Sequence, residues 1–168
     1  MDLQGNQTLL RAPRPTDLED LVGIFAEPEV ARWWRDHDRT RIEAELLGDD
    51  PDVVVFVVDV AGAVAGIIQF GEETDPEYRA ASIDIAISTR WHGAGVALDA
   101  IRTLARHLFD ERGHHHLTID PAAHNQRAIA AYAKVGFRPV GILRQNERGE
   151  GGRFHDTVLM DLLADDLT

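Results

Sequence analysis

Cysteine is absent from the 168 residues, which excludes disulfides, thiolate metal ligands and a cysteine nucleophile. Long apolar runs are missing too. No window approaches the roughly 18 apolar residues of a membrane span, and the N-terminal MDLQGNQTLLRAPRP has no long apolar core. Basic residues are scarce, 17 Lys and Arg against 29 Asp and Glu, for a formal charge of −12. Nucleic-acid binding relies on neutralising phosphates with Lys and Arg, so that class is set aside. There is no internal repeat, low-complexity tract or dividing linker. The expectation is a single cytoplasmic domain over residues 1–168, free of membrane and nucleic-acid partners, working as a monomer or homodimer.

What is present is globular in balance, 44% hydrophobic and 27% charged. The acidic excess suits a cationic partner drawn into an acidic cleft, and it serves solubility equally well. Gln7 to Arg11 reads as a first strand. Thr16-Asp-Leu-Glu19 and Thr40-Arg-Ile-Glu43 read as capping boxes opening two helices, with Trp33 and Trp34 between them. Val53 to Val60, a turn at Ala61-Gly62-Ala63, and Val64 to Phe70 form a hairpin. In Ser82 to Ser88, Ile83, Ile85 and Ile87 face one way and Ser82, Asp84 and Ala86 the other. A long helix follows to about Asp110, then a short strand from His116 to Ile119. Asn125 to Val135 is a helix ended by Gly136, and Phe137 to Leu143 and Phe154 to Leu162 close the sheet. The order β-α-α-β-β-β-α-β-α-β-β predicts an α/β fold, a mixed sheet with helices on both faces.

Two segments carry chemistry. Arg90-Trp91-His92-Gly93-Ala94-Gly95-Val96-Ala97 lies where a strand passes into a helix. There free N–H groups and the helix dipole bind phosphate, and glycines let the backbone come close; the same pattern serves as a plain tight turn. The second runs from Asp120 to Phe137. In it Asn125 caps a helix, and Ala128 and Tyr132 share a face one turn apart. His114-His115-His116 runs into a strand, so no metal site is expected. Asn146 to Arg153 reads as a hairpin end, from which Glu147 or Glu150 can reach a substrate.

Together the Arg-x-x-Gly-x-Gly loop and the Asn-x-x-Ala-x-x-x-Tyr-x-x-x-Gly-Phe segment resemble the GNAT superfamily of acyltransferases over essentially the whole chain. The resemblance implies acetyl-CoA as donor and a sheet splayed between the fourth and fifth strands. It places the pantetheine arm against Ile85, Ala86 and Ile87, with Asn125 and Ala128 beside it. It makes Tyr132 the acid that protonates the departing thiolate, a transfer suited to a thiol near pKa 8.5.

A narrower resemblance is to the aminoglycoside 6′-N-acetyltransferases. It rests on Trp33-Trp34, Glu72-Glu73-Thr-Asp75-Pro, Ser82-Ile-Asp84, and Thr118-Ile-Asp120-Pro followed by Asn125. It implies that these tryptophans and carboxylates receive a polycationic acceptor, and that Asp84 takes or orients its amine proton. Carboxylates and flat apolar surfaces are what an aminoglycoside needs. With no cysteine, and no serine in a nucleophile context, direct transfer is expected. A backbone N–H near Ile85 or Ala86 would stabilise the developing oxyanion. A siderophore lysine or a protein N-terminus are alternative acceptors, and a catalytically silent acyl-CoA-binding domain is the alternative of another class.

Overall fold

The β-branched run and its return strand form the centre of an eight-stranded sheet. We describe it from a computed structural model, in which residues 1–47 and 50–168 are described. The strands are β1 (Leu3–Gln4), β2 (Leu9–Arg11), β3 (Val53–Val60), β4 (Ala63–Glu73), β5 (Ala80–Ile87), β6 (Leu117–Ile119), β7 (Arg138–Arg148) and β8 (Phe154–Leu162), in spatial order β1-β2-β3-β4-β5-β6-β8-β7. The helices are α1 (Leu18–Ala26), α2 (Pro28–Ala31), α3 (Arg39–Leu47), α4 (Val96–Asp110) and α5 (Gln126–Ala133). None of the described helices is long and apolar enough to cross a membrane.

Both faces of the sheet are covered, so its central strands are apolar on both sides. On one face α4 packs Val96, Ala100, Ile101, Leu104 and Leu108 against Phe56, Ile68, Ile83 and Ile87. On the other, Leu21, Ile24 and Phe25 of α1 meet Val57, Ile67 and Ala86. The alternation expected for β5 holds, with Ile83 and Ile87 in the first core and Ala86 in the second.

The helix starts differ from the sequence expectation. Asp17, not Thr16, precedes α1, and its carboxylate accepts from Arg14 N–H (2.7 Å) and Arg11. Glu19 is thereby free to take Arg39 (2.7 Å). At α3 the carboxylate of Asp38 accepts from Arg41 N–H (2.9 Å), where a Thr40 box was expected. At α3 the aspartate takes the capping place that the threonine hydroxyl was expected to fill, whereas α1 starts with no side-chain cap, the Asp17 carboxylate being turned to Arg11 and Arg14.

The feature that makes a site is the junction of β5 and β6. These parallel strands pair only at Ala81–Leu117 and Ser82–Thr118. Beyond Ile119 comes Asp120-Pro121. Proline has no N–H to donate, and the chain turns instead to β8, where Val158 N–H donates to the Pro121 carbonyl (2.9 Å). Residues Ile83 to Ile87 therefore have no partner on the β6 side, and a cleft of about 1310 Å³ opens along Asp84 to Ile87. The two strands are those the sequence counts as fourth and fifth, the two-residue β1 having been added before them.

Candidate active site

The strand-to-helix loop is built to receive an anion. Gly93 (φ 77°) and Gly95 (φ 80°) occupy the left-handed region that side chains resist. Asp99 N–H makes the first bond of α4, to the Gly95 carbonyl (3.0 Å). The N–H groups of Val96, Ala97 and Leu98 before it have no helical acceptor, and all three residues line the cleft. Asp99 would oppose an anion here, but its carboxylate is buried and turned away. It accepts from Asn6, Gln7 and Thr8 N–H (2.9–3.0 Å) and from the Thr8 hydroxyl (2.8 Å). Although burial pushes the Asp99 pKa up, these bonds hold it below the ordinary range. A second brace comes from Glu27 at the end of α1, which accepts from Ser88 Oγ, Thr89 Oγ1 and Thr89 N–H (2.7 Å each). These residues fit the pyrophosphate of coenzyme A.

Along the open strand, Ile85, Ala86 and Ile87 line the cleft as expected. Two of their carbonyls already have partners. Trp34 Nε1–H donates to the Ile85 carbonyl (3.2 Å), and the His92 ring bonds the Ile87 carbonyl (2.9 Å). The facing bank is α5. Asn125 caps it, its Oδ1 accepting from Ala128 N–H (3.2 Å), and Ala128 and Tyr132 look into the cleft.

Asp84, Asp120 and Tyr132 meet at the split. Asp84 stands opposite Gln69 in the register of β4 and β5, open to the water of the cleft yet walled by protein. That crowding pushes its pKa up, as does the charge of Asp120, and a hydrogen bond from Gln69 opposes the rise. Asp120 is raised by burial, against a bond from Asn146 Nδ2 (3.0 Å). The Tyr132 phenol is raised well above its usual value, first by burial and then by the charges of Asp84 and Asp120. Glu147 completes the group. Burial raises it, and the charges of Asp120 and Asp84 add to the rise against the opposing pull of His155. A cleft with several crowded carboxylates around one phenol attracts cations and favours proton transfer at those groups.

Other expected site residues lie elsewhere. Glu72, Glu73 and Asp75 are outside the cleft lining, towards the end of β4 where β5 still pairs with β6. Glu72 is held by Arg112 and by buried His114 (2.6 Å), partners that tie it to the end of α4. The structure does not bring this acidic loop together with Asp84 and Asp120 in the cleft. Arg90 is exposed, its guanidinium over the Trp91 ring at 4.9 Å, and Ala94 spends its carbonyl on Gln7 Nε2 (3.1 Å). Neither lines the cleft, although Trp91, His92, Gly93, Gly95, Val96 and Ala97 do.

The tryptophan pair divides its roles. Trp34 packs edge-on to Phe25 (5.6 Å) and His37 (5.3 Å), while Trp33 meets His124 (5.1 Å). His124 and Gln69 were missed, and Glu147 and Asn146 were placed in a loop. A bulge in β7 between Leu143 and Glu147 keeps that stretch in the strand and beside Asp120. The glycines after it disguise this in the sequence.

Comparison with known proteins agrees with this geometry. A family model described as an acetyltransferase (GNAT) domain matches residues 7–138. The spermidine N(1)-acetyltransferase of Escherichia coli (strain K12) is 27% identical over 155 residues, which cover 88% of this chain and 82% of that protein. Mycobacterium smegmatis RimJ, solved in complex with CoA-disulfide, superposes with a TM-score of 0.85 at 22% identity, over 99% of this chain and 88% of that one. Spermidine N-acetyltransferase from Vibrio cholerae, solved with CoA and spermine, gives a TM-score of 0.80 at 23% identity, over 95% and 97%. The chain belongs to the GNAT acetyltransferase family and is an acetyl-CoA-dependent N-acetyltransferase.

Proposed function

We propose that this enzyme acetylates a primary amine of a small polycation, by direct transfer. The observation that carries the reading is that Asp84, Asp120 and Glu147 line one cleft with Tyr132, Asp120 accepting a hydrogen bond from Asn146, the neighbour of Glu147. Three carboxylates against one another are a poor arrangement until a cation arrives, and each ammonium that binds relieves the repulsion.

When bound, acetyl-CoA supplies the acetyl group as a thioester. The N–H groups of Val96, Ala97 and Leu98 hold its pyrophosphate, and the Ile85–Ile87 strand and α5 flank its arm. Asp84 orients the acceptor ammonium and takes its proton, directly or through water. Its raised pKa makes it a better base than an ordinary aspartate. The Tyr132 hydroxyl donates to the departing sulfur. In the free enzyme burial first, and then the charges of Asp84 and Asp120, keep that phenol a weak acid; an acceptor cation between the two carboxylates offsets their part of the rise.

Two acceptor shapes satisfy these charges. The sequence resemblance points to the 6′-amine of an aminoglycoside, and the relatives that act on spermidine point to a linear polyamine. The test is acetyl-CoA turnover with kanamycin, tobramycin, paromomycin, spermidine, a lysine derivative and a peptide. Turnover of the polycations above the peptide supports the reading. Activity on kanamycin and tobramycin, with paromomycin inert because it carries a 6′-hydroxyl, fixes the 6′ position. Turnover of the peptide alone contradicts the reading.

A further inference from the structure

The cleft has two banks, one carrying α2 and the tryptophans, the other carrying the 121–125 loop and α5. They touch. The Trp33 ring lies 5.1 Å from that of His124, tilted by 49°. The backbone that carries each ring is held by its own bank. The residue after Trp33 is pinned to β5 through the Ile85 carbonyl, and Trp33 N–H donates to the Val30 carbonyl (3.0 Å). The loop of His124 is laced to β8, Ala123 N–H donating to the Asp156 carbonyl (2.9 Å).

His124 is backed in turn by His155, perpendicular to it at 5.2 Å. The His155 Nδ1 faces the Asp156 carbonyl at 3.1 Å. The ring's Nε2 stands 3.7 Å from Glu147. A Cβ at Gly149 would overlap this ring, so glycine there makes the room that His155 fills. Trp33, His124, His155 and Glu147 thus form a connected row from one bank to the other, and Trp33, His124 and Glu147 line the cleft itself.

We infer that the Trp33–His124 contact is a bar across the acceptor end of the cleft. It admits extended polyamines and holds back ring-built polycations of the aminoglycoside class. This rests on the polycation reading above. Seating a ring between two others requires about 7 Å from face to face, twice the carbon–carbon contact distance of roughly 3.5 Å. The two rings stand at 5.1 Å, so a sugar ring sits between them only by parting them. A methylene chain with ammonium groups is slimmer and flexible enough to pass beside the contact toward Asp84 and Asp120.

The experiment compares wild type, His124→Ala and His124→Phe with acetyl-CoA and either spermidine or kanamycin. Wild type is expected to favour spermidine. His124→Ala is expected to raise the kanamycin-to-spermidine ratio of kcat/KM by about tenfold, within the discrimination that pocket shape provides, leaving the KM for acetyl-CoA unchanged. His124→Phe keeps the ring and is expected to hold the wild-type ratio within about twofold. His124 is exposed, so neither change threatens the core. An unchanged ratio in His124→Ala, or a fall in kanamycin activity, overturns the bar while leaving the polycation reading intact. Inertness of all three proteins toward both amines overturns the two together.

Discussion

Asp84, on β5, and Tyr132, on α5, line one cleft from its two sides, between two strands that have parted, and burial first and then the charge of Asp84 raise the pKa of the phenol. The two residues are 48 positions apart in the chain and belong to different layers. They meet because Pro121 ends the pairing of β6 and α5 then folds back over the gap.

Removing the phenol proton should remove the acid. Tyr132→Phe keeps the ring against Phe137 (6.3 Å between centroids) and is expected to lower kcat by about 10²-fold, with little effect on the KM for acetyl-CoA. Steady-state kinetics with the best acceptor measures this. Wild-type turnover would make Tyr132 a packing residue.

The same crowding has a stability consequence. The folded-state pKa of Asp84 lies above the 3.8 of an unperturbed carboxyl, so ionisation costs the folded state more than the unfolded one. That penalty is absent below the unfolded value and fully present above the raised folded value. Asp84→Asn is therefore expected to raise Tm at pH 7, with the gain vanishing as pH falls below about 4. Thermal melts of both proteins across pH 3 to 8 would show it, and a lower Tm at pH 7 would make Asp84 structural.

Asp17 has the opposite sign. Its bond to Arg11, against the penalty of burial, lowers its pKa, and both side chains are buried (2.8 Å). Its contribution is present above the unfolded value of 3.8 and lost as pH falls through the lower folded value. Asp17→Asn leaves Asp59 (3.1 Å) as the one carboxylate paired with Arg11 among the described residues, and a loss of about 3 kcal/mol is expected in urea unfolding at pH 7. A loss below about 1 kcal/mol would show that Asp59 is partner enough.

At Gly95 the backbone sits at φ 80°, and a Cβ would approach Gln7 Nε2 at 3.2 Å. Gly95→Ala is expected to cost about 1 kcal/mol of stability and to raise the KM for acetyl-CoA by about tenfold, because the loop N–H groups shift. Calorimetry and kinetics separate the two effects. Unchanged coenzyme affinity would place the phosphate site elsewhere.

Most of the donor half was legible in the sequence because backbone makes it. Glycines with positive φ and a helix start leave local marks, and so does the cap at Asn125. The acceptor half is built from side chains brought together by the split, and only part of it was readable. Asp84 stood out against its isoleucines. Glu72 looked equivalent, but Arg112 and His114 claim it from 40 and 42 residues away, pairings that no local pattern announces. Glu147 stood out only as one of two candidates in a stretch that reads as a hairpin end, and His124 lay in a stretch that reads as a loop. Their roles follow from a bulge and from hydrogen bonds to β8, which are tertiary events.

The most direct test of the mechanism is the activity of Asp84→Asn. The change is nearly isosteric, removes the charge and abolishes the base. The expected result is a folded protein whose kcat/KM for its polycationic acceptor falls by at least about 10²-fold, roughly 2.7 kcal/mol of transition-state stabilisation, while its KM for acetyl-CoA is unchanged. Wild-type kcat/KM in the folded variant would contradict the assignment and move the acceptor's anchor to Asp120 and Glu147.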